Sequence, residues 1–324
     1  MRIGFVYDIL ENVFPSATAL TLTELTTELF SSAQANSLVS GLRHLGHAVS
    51  VIDGAAAFTK DVLRYRDELD LVFNEAKGLF GPDRKMIIPA LCRIHGIPYL
   101  GSDAYAVTLA RNKWHTLAVA SYAGVVVPES RLVPMGSCNE ADQWSSFPAI
   151  VKPNFESSSI GISGSSIVTD TVSLRQQVAS VHAIYRQAAL VQVFVPGLEL
   201  QVSLIGNKPP QPLAVVSVRP PGDREVITNE DWRANTVTIS PYRDGMIKEK
   251  VVEDARHLFE ALTLQDYGRM DFRVTSDAEL FFIEASTHPH ITPDSAFAVS
   301  AELAGFSFTE MLSALLSAAH QRYL

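Results

Sequence analysis

The sequence predicts an α/β protein with α+β lobes, and three observations support that class. A chain of 324 residues is long enough for about two domains of ordinary size, or for three compact lobes. Strand and helix signals alternate through the first hundred residues, which is typical of parallel βαβ units. From about Lys113 onward the pattern changes to short strands and helices without that regular alternation. We therefore expect three lobes, over residues 1–111, 112–196 and 197–324.

The first lobe has the pattern of a parallel sheet covered by helices. Apolar residues at helical spacing near Leu38, within the stretch 18–45, predict a helix after the first strand. A second helix is predicted over residues 87–94, and Gly96 ends it before a new strand. The predicted strands are the apolar runs Ile3 to Tyr7, Val49 to Ile52 and Leu71 to Phe73.

The middle lobe is predicted to be a small α+β unit. A helix from Trp114 to Ala123 opens it, and a later helix carries apolar residues at 174, 178, 181 and 185 on one face. Its predicted strands are Ala149 to Lys152, Ser166 to Val168 and Ala189 to Phe194.

The last lobe is predicted to consist of strands joined by turns, with two helices. A polar loop is expected over residues 220–235, a helix with Val252, Ala255, Phe259 and Leu262 on one face after it, and a closing helix over 309–319. The strands are Leu200 to Ile205, Leu213 to Val218, and two runs, Met270 to Val274 and Leu280 to Ile283, that a turn at 275–278 joins.

Composition narrows the classes of function. Hydrophobic residues make up 47% of the chain, which is enough for a substantial core. The formal charge is −9 and no Lys/Arg-rich run is present, so a nucleic-acid partner is not expected. No apolar run approaches the roughly 20 residues of a membrane span, and the start lacks the layout of a secretory signal. Cys92 and Cys138 are too few for a disulfide framework. We expect a soluble, cytoplasmic, multi-lobed globular protein.

A lysine followed by a serine-rich turn is the first group of residues that suggests chemistry. Lys152 ends a predicted strand, and Glu156-Ser157-Ser158-Ser159 precede Gly161 in the turn. An ammonium group neutralises phosphate charge, while backbone N–H groups and hydroxyls of a turn donate hydrogen bonds to phosphate oxygens. The segment therefore has the composition of a phosphate-binding loop; a polar surface hairpin is the alternative.

Charged residues on the last two predicted strands form the second group. Because side chains alternate along a strand, Arg269, Asp271 and Arg273 are expected to point one way, and Glu284 to share a face with Phe282 and Ser286. If the two strands pair, Asp271 and Glu284 lie side by side, which is unfavourable unless a cation sits between them. Oxygen ligands on a rigid sheet suit Mg²⁺. An ion-pair ladder across a solvated sheet face is the alternative.

Weaker signals leave several alternatives open. Glu199 follows the turn Pro196-Gly197 and is compatible with a ribose contact or with a plain strand–turn–strand. Lys113 lies at a helix start, and Asn74-Glu75 follow a strand. For each, one interpretation is that it lines a cleft, and the other is that it occupies an ordinary surface or loop position.

Two other kinds of catalytic site are disfavoured. A zinc site of Glu284, His288 and His290 lacks a further His or Cys ligand nearby. A serine hydrolase requires Gly-x-Ser-x-Gly, and Gly161-Ile-Ser163-Gly164-Ser165 departs from that spacing.

In order and spacing, the segments resemble the ATP-grasp superfamily and, within it, the D-alanine–D-alanine ligase family. The resemblance runs over nearly the whole chain and implies an ATP-grasp fold with an N-terminal parallel α/β domain, with ATP between the middle and last lobes. The matching segments are Leu71-Val-Phe-Asn-Glu75, Gly96-Ile-Pro-Tyr-Leu-Gly-Ser-Asp103, Lys113, Val151-Lys152-Pro153, residues 156–162, Pro196-Gly-Leu-Glu199, Gly268-Arg-Met-Asp-Phe272 and Ile283-Glu-Ala-Ser-Thr-His-Pro289.

The resemblance implies a role for each matching residue. ATP-binding residues would be two phosphate-contacting lysines, the phosphate-covering loop, an adenine-reading strand and a ribose acid: Lys113, Lys152, Glu156, Ser158, Ser159, Gln192, Val193, Val195 and Glu199. Mg²⁺, with Mn²⁺ as an alternative, would be held by Asp271, Glu284 and Ser286. Arg269 would stabilise the reacting phosphoryl group, with Ser158 and His290 also at the reacting centre.

The implied reaction couples a carboxylate to an amine. The carboxylate first attacks the γ-phosphate of ATP to give an acyl phosphate, because a free carboxylate is a poor electrophile. The amine then attacks the acyl carbon and phosphate leaves. Mg²⁺, the lysines and the arginine would balance the charge of the transferring group. A homodimer through the first lobe is also implied by the family.

Departures from the family pattern fall mostly on the substrate side. Ser286 replaces an asparagine metal ligand, His290 replaces a glycine near the acyl oxygen, and Gln192 replaces a glutamate. The family's N-terminal Glu-Arg-Glu-Val-Ser run, which holds the ammonium of the first D-alanine, is missing, so Glu11 or Glu24 is expected to substitute.

Two loops also differ from the family. Gly81-Pro-Asp-Arg84 replaces a Gly-Glu-Asp-Gly stretch, and residues 229–235 replace the loop over the active site, with Trp232 and Arg233 placed to cap a larger or acidic substrate. We therefore expect an amide-forming ligase with a substrate other than D-alanine. A nucleotide-binding protein that has lost catalysis and an authentic D-alanine–D-alanine ligase are the alternatives.

Overall fold

Three separate β-sheets organise the chain, one from each of the three sequence patterns. The computed structural model describes residues 1–9, 24, 26–78 and 81–324. Within them, every sheet lies inside one of the expected ranges 1–111, 112–196 and 197–324. As domain boundaries these ranges stay predictions.

The first sheet is parallel, as the alternation of strands and helices predicts. Its strand order is β2-β1-β3-β4, so β1 is central and five of its six residues are buried. The strands are β1 Arg2–Tyr7, β2 Ala48–Asp53, β3 Leu71–Asn74 and β4 Tyr99–Leu100. The helices are α1 Ser32–His44, α2 Gly54–Lys60, α3 Val62–Glu68, α4 Ile87–His95 and α5 Ala104–Arg111.

Local sequence accounts for where these helices begin and end. Ser31 and Gln34 form a reciprocal capping box at the start of α1. Asp103 caps α5 by accepting the Ala106 N–H. Gly96 ends α4 in the left-handed conformation, with φ +67°, which is the role expected of it.

The middle sheet is antiparallel, in the order β5-β8-β6-β7. Leu174, Val178 and Val181 of the covering helix pack on Val151 and Val191 of the sheet, so the predicted apolar face is the buried one. The strands are β5 Ser130–Val133, β6 Ala149–Pro153, β7 Ile167–Val168 and β8 Ala189–Val193. The helices are α6 Lys113–Tyr122 and α7 Thr171–Tyr185.

The last sheet is also antiparallel, in the order β12-β11-β9-β13-β14, with β10 beside one end of β9. The strands are β9 Leu198–Ile205, β10 Gln211–Pro212, β11 Val216–Arg219, β12 Thr238–Pro241, β13 Tyr267–Val274 and β14 Leu280–Ser286. The helices are α8 Asn229–Arg233, α9 Gly245–Ala261, α10 Ala296–Leu303 and α11 Phe308–Gln321.

Two helices pack outside the lobe in which the sequence places them. Met311 and Leu312 of α11 lie in one core with Phe5 and Leu38 of the first lobe. Leu117 of α6 packs instead with the core of the last sheet. Arg322, just after α11, donates to the Tyr99 carbonyl (2.8 Å) and to Asp266 (2.6 Å). The first and last lobes are therefore joined by a shared core and by ion pairing.

Some local expectations were wrong. The expected loop 220–235 contains the helix α8, and the expected strand 213–218 begins only at Val216. The buried face of α9 is set by Val251, Ala255, Leu258 and Phe259, with Val252 only partly buried. Part of the predicted helical stretch 18–45 lies outside the described residues, and within them its helix begins at Ser32.

In the described part of the chain, no single helix is long and apolar enough to cross a membrane. The pair α10 and α11 reaches the required length and composition only when joined across a 99° bend, and both helices contribute buried side chains to the first core.

Candidate active site

A β-bulge between β13 and β14 places the two expected acids opposite each other. Asp271 pairs with Glu284, whereas the next residue, Phe272, pairs with Phe282, so Ile283 is the extra residue. The register confirms that the two acids are side by side. The expectation that Phe282 shares their face was wrong, because the bulge turns Phe282 into the core against Phe272. Ile283 and Glu284 both line a cleft as a result.

Each acid is paired with a cation on the same face. The Arg269 guanidinium donates two parallel hydrogen bonds to Asp271, both of 2.7 Å. The Lys113 ammonium lies 3.0 Å from Glu284 Oε2. Ser286 lies opposite Arg269 in the register. This is an ion-pair ladder, but it lies in a cleft with Asp271 and Lys113 buried rather than on a solvated face.

Helix α6 positions Lys113 because Lys113 is its first residue. The Asn112 side chain caps the helix, and Asn154 after β6 binds both Asn112 and the Trp114 N–H. The Lys113 ammonium also donates to the Glu156 carbonyl. The turn after β6 and the start of α6 therefore hold this lysine together.

All the expected ATP-binding residues except Ser158 line one cavity, which we call the Lys152 cavity. It encloses about 790 Å³, including open solvent at its mouth. Lys152 is buried and donates to Gln192 Oε1 (2.9 Å), and Gln192 in turn donates to Ser130 Oγ (3.0 Å). The residues around it are Lys113, Ile150, Lys152, Pro153, Glu156, Ser157, Ser159, Ile160, Ile162, Gln192, Val193, Phe194, Val195, Glu199, Val226, Ile227, Asp271, Arg273, Ile283 and Glu284.

Val195 lines this cavity but is not on the strand that the sequence indicates. Strand β8 ends at Val193, and Val195 lies in the segment that leads to the last sheet. Gly197 in that segment has φ +128°, and a Cβ there would lie 2.1 Å from the Val274 carbonyl oxygen. Only glycine fits this crossing. It sets the start of β9 and hence the position of Glu199.

The serine-rich turn is held from both sides. Lys85 donates to Ser157 Oγ (3.1 Å) from the first lobe, and Asn229 donates to the Ser158 carbonyl (3.0 Å) from α8. The Trp232 indole N–H lies 3.3 Å from Ser159 Oγ. Ser158 and Ser159 both have φ +54°, a left-handed conformation that costs energy in non-glycine residues. In this structure the turn is closed over the cleft.

Three of the acids that line the Lys152 cavity, Glu199, Asp271 and Glu284, form what we call the cleft floor, and their pKa values are shifted in opposite directions. Burial raises the pKa of Glu199 to about 7, and nearby Asp271 adds to the shift. Burial also raises the pKa of Asp271, although Arg269 opposes it. For Glu284, burial alone would raise the pKa, but Lys113 and Lys152 hold it below its usual value. The pKa of Lys152 falls to about 8 because the ammonium is buried beside Lys113.

The donor set at the cleft floor fits a hard divalent cation. Asp271 and Glu284 offer carboxylate oxygens, and Ser286 offers a hydroxyl nearby on β14. A carboxylate has about four lone-pair sites, so Asp271 can accept the Arg269 fork and still bind a metal. Burial raises the pKa of both Glu199 and Asp271, because it disfavours their charged forms. A cation at this point would stabilise those charged forms.

Two further cavities also have Glu284 in their lining. The Arg111 cavity encloses about 600 Å³ and is lined by Glu28, Lys77, Lys85, Ala110, Arg111, Lys113, Phe155, Glu156, Ser157, Ser158, Arg269, Glu284, Ala285, Ser286, Thr287, His288, Pro289 and His290. The Trp232 cavity encloses about 920 Å³ and is lined by Thr27, Gln34, Ser158, Ser159, Glu199, Gln201, Trp232, Asn235, Val237, Ile239, Arg269, Asp271, Glu284, His290, Thr292, Asp294, Ser295 and Ala296. Both volumes include open solvent.

His290 lies between these two cavities. It lines both of them, and its ring packs edge-on against Phe30, with centroids 5.4 Å apart. Burial and the nearby Lys77 lower its pKa to about 3, so the imidazole is neutral at pH 7. A neutral side chain therefore stands where the sequence comparison expects a glycine.

Sequence reasoning missed a buried cluster from the first lobe. Glu28 accepts from Arg84 (2.8 Å) and Lys85 (3.0 Å), and Ser157 also donates to it. Arg84 bridges onward to Glu156 (3.0 Å). Burial alone would raise the pKa of Glu28, but Lys85 and Arg84 hold it well below its usual value. The turn over the cleft is thus tied to this cluster.

A signal for part of the cluster was present in the sequence. Arg111 follows Val107 at helical spacing on the buried face of α5, where a charged residue is unusual.

Of the two acids expected to replace the family's ammonium-binding acid, the structure describes only Glu24. Glu11 lies outside the described residues. Glu24 accepts a hydrogen bond from the Tyr185 hydroxyl (2.5 Å) and is not among the lining residues. Arg233 is exposed and does not line the Trp232 cavity, whereas Trp232 does. The capping role expected of Arg233 therefore stays a prediction that the cavity lining does not support.

The structure also bears on two further alternatives, the zinc site and the position of Asn74 and Glu75. Among the described residues, no group of three His, Cys, Asp or Glu side chains is arranged as a metal site, so zinc at His288 and His290 has no support. Asn74 and Glu75 are buried rather than in a solvated loop. Glu75 accepts from Lys77 (2.8 Å) and from Tyr267 (2.9 Å), which joins the first and last lobes.

Known proteins are similar to this chain over most of its length. The family model described as the D-ala D-ala ligase C-terminus matches residues 113–317. An uncharacterised protein of Sinorhizobium fredii is 28% identical over 89% of this chain and 88% of its own length. The D-alanine–D-alanine ligase of Aquifex aeolicus is 28% identical over 86% of this chain and 92% of its own.

A solved structure shows the same architecture. The D-alanine–D-alanine ligase of Bacillus anthracis, crystallised with ATP, superposes with a TM-score of 0.76 at 18% identity and covers 99% of this chain and 98% of its own. The fold is therefore the ATP-grasp fold that the sequence predicts. Together with the matched family model, this shows that the chain belongs to the D-alanine–D-alanine ligase family of ATP-grasp ligases.

Proposed function

We propose that this protein is an ATP-dependent carboxylate–amine ligase that forms an amide bond through an acyl phosphate, with a substrate other than D-alanine. One observation carries the proposal: Glu284 lines all three cavities. A reaction of three components, a nucleotide, a carboxylate and an amine, requires three binding spaces that meet at one point. Arg269 and Lys113 each line two of those spaces beside Glu284.

The Lys152 cavity is the proposed ATP site. Ile150, Val193 and Ile283 offer apolar surface to a purine, and Glu199 offers a carboxylate to ribose hydroxyls. Lys113 and Lys152 lie toward the acid pair, where the phosphates would be neutralised. This arrangement directs the γ-phosphate toward the point where the cavities meet.

The first step activates the carboxylate. One of its oxygens attacks the γ-phosphorus, the bond to the bridging oxygen of ATP breaks, and an acyl phosphate and ADP result. Arg269 and Lys113 stand beside the point of transfer, where their fixed charges stabilise the phosphoryl oxygens without reorganising. Asp271, Glu284 and Ser286 would hold Mg²⁺ or Mn²⁺, which when bound neutralises charge on the phosphates.

The second step forms the amide. An amine in its uncharged form attacks the acyl carbon, the tetrahedral centre collapses, phosphate leaves and the amine nitrogen releases a proton. The closed turn at Ser158 and Ser159, covered by Trp232, excludes water that would hydrolyse the acyl phosphate. We assign the amine to the Trp232 cavity and the carboxylate to the Arg111 cavity, because only the latter is lined by several buried cations.

The substrate preference is proposed from the residues that differ from the family pattern. His290 occupies space between the donor and acceptor cavities, and Arg84, Lys85 and Glu28 fill the side where the family holds an ammonium group. These residues support a donor unlike D-alanine.

ADP release measured with a panel of carboxylates and amines tests the proposal. Release that requires both co-substrates is expected. D-alanine as both donor and acceptor is one arm, and rapid turnover there would identify an authentic D-alanine–D-alanine ligase. Nucleotide binding without turnover in any arm would favour the alternative of a nucleotide-binding protein that has lost catalysis.

A further inference from the structure

Several buried cations lie in and around the Arg111 cavity, and one of them lacks a close carboxylate. Five of the six cations have a carboxylate within 3.0 Å, and Arg84 bridges two carboxylates. The cations are Lys77, Arg84, Lys85, Arg111, Lys113 and Arg269, and the carboxylates are Glu28, Glu75, Glu156, Asp271 and Glu284.

Arg111 is the cation left without a close partner. Its Nε donates to the Pro82 carbonyl (3.0 Å), but both terminal nitrogens are buried and have no hydrogen-bond partner among the residues that the structure describes. The nearest acid, Glu156 Oε2, is 4.0 Å from Arg111 NH2, too far for a hydrogen bond. The residue is only 8% exposed and lines the cavity. A buried guanidinium with free N–H groups is costly unless an anion satisfies them.

Two of the acids that line this cavity already accept hydrogen bonds on both oxygens. Each oxygen of Glu28 accepts from Lys85 or Arg84, and Ser157 donates to it as well. Glu156 accepts from Arg84 and from Gln187 (2.9 Å). A positively charged group beside these acids would lie among lysines and arginines, whereas a negatively charged group would find Arg111.

We propose that the carboxylate substrate carries a second anionic group, a carboxylate in the simplest case, which the two free N–H groups of Arg111 bind. This inference rests on the proposed ligase function and names its donor class. The reacting carboxylate would lie near Arg269 and Glu284, and the second group at the far end of the Arg111 cavity. A guanidinium fork matches a carboxylate with two parallel hydrogen bonds.

Matched donors test this directly. Dicarboxylates of three to six carbons are compared with their half-amides, which have the same size and one charge fewer. Hydroxylamine serves as the amine, because it intercepts acyl phosphates and removes the need to know the natural acceptor. ADP and hydroxamate are measured together. We expect at least one dicarboxylate to exceed its half-amide about 10- to 100-fold in kcat/KM, the range for a buried charge-assisted hydrogen bond.

The variant Arg111→Met identifies the residue responsible. It should bring the dicarboxylate to within about threefold of the half-amide, with the KM of ATP unchanged, and Arg111→Lys should restore part of the preference. Arg93→Met is the matched control, since it removes an exposed arginine from α4 of the same lobe. Circular dichroism checks folding, and the wild-type donor comparison stands even if Arg111→Met does not fold.

The outcomes separate this inference from the proposed function. Equal or better use of half-amides by the wild type, or a preference that persists in Arg111→Met, overturns the inference and leaves the ligase. A rise in the KM of ATP with unchanged donor selectivity also overturns it, because Arg111 would then bind the nucleotide.

A thermal melt with a non-hydrolysable ATP analogue and Mg²⁺ supplies a readout without turnover. Arg111-dependent stabilisation by dicarboxylates, with no ADP from any donor, overturns the ligase proposal and leaves only an anion site. If dicarboxylates give no stabilisation and no donor gives turnover, both the inference and the ligase proposal are overturned.

Discussion

The Lys152 cavity and the Arg111 cavity share Lys113 and Glu284 but draw the rest of their walls from different parts of the chain. The Lys152 cavity is lined mainly by residues on or just beyond strands of the middle and last sheets. The characteristic cations and acid of the Arg111 cavity, Glu28, Lys77, Lys85 and Arg111, come from short turns and a helix end of the first lobe. Strands fix a common nucleotide site, whereas loops allow the substrate site to change without altering the fold.

The largest expected effect is at the point that both cavities share. Glu284→Ala should lower turnover about 1000-fold or more, because it removes an acid proposed for the metal and leaves Lys113 unpaired. Glu279→Ala, at an exposed position before β14, is the control. Steady-state ADP release measures both variants, and near-normal rates from folded Glu284→Ala would defeat the metal assignment.

The next effect should be confined to the nucleotide side. Lys152→Met is expected to raise the Kd of an ATP analogue about 10- to 100-fold, since a buried charged hydrogen-bond donor to phosphate is lost. The ratio between dicarboxylate and half-amide donors should not change. Calorimetric titration measures the Kd, with exposed Lys248→Met as the control. A change in donor selectivity instead would mean that the two cavities are not separate in function.

A smaller effect is expected at the boundary between the substrate cavities. His290→Gly should change the preference among amines or donors about tenfold, because it removes a neutral ring that lines both spaces. Competition assays with paired substrates measure the ratio. Identical substrate profiles for the variant and the parent would show that His290 does not contact either substrate.

The smallest effect concerns pH. Because the pKa of Lys152 is lowered to about 8, its ammonium loses its proton as the pH rises through that value, and affinity for the nucleotide should fall by less than about tenfold between pH 7 and pH 9. Gln192→Glu places a carboxylate beside the ammonium, raises its pKa and should move the fall to higher pH. Titrations of the ATP analogue from pH 6.5 to 9.5 check this, and coincident profiles would contradict it.

The difference between the cavities also explains what the sequence could predict. Strand alternation and short motifs are local features of the sequence. They were enough to single out Lys152, Asp271 and Glu284 as candidate site residues and to predict that Asp271 lies opposite Glu284 on β13 and β14. The bulge at Ile283 is not local: the Phe282 N–H bonds to the Val126 carbonyl (2.9 Å), from the segment after α6. Alternation alone therefore misplaced Phe282.

The Arg111 cavity was less predictable for the same reason. Glu28 and Lys85 are 57 positions apart in the chain, and neither lies in a pattern that indicates their pairing. They become neighbours only in the folded structure. The unusual charge on the buried face of α5 was the one local signal.

The packing of α11 against the first lobe has a consequence for how molecules enter and leave. The first and last lobes share a continuous apolar core that includes Phe5, Tyr267 and Leu312. The middle sheet has a core on one side, and Leu190 of β8 packs in the core of the last sheet. Its serine-rich turn meets the other lobes through polar contacts of Lys85 and Asn229. Polar contacts exchange readily with water, whereas a shared core does not. We therefore expect the polar contacts of the serine-rich turn, rather than the shared apolar core, to break when substrates enter and products leave.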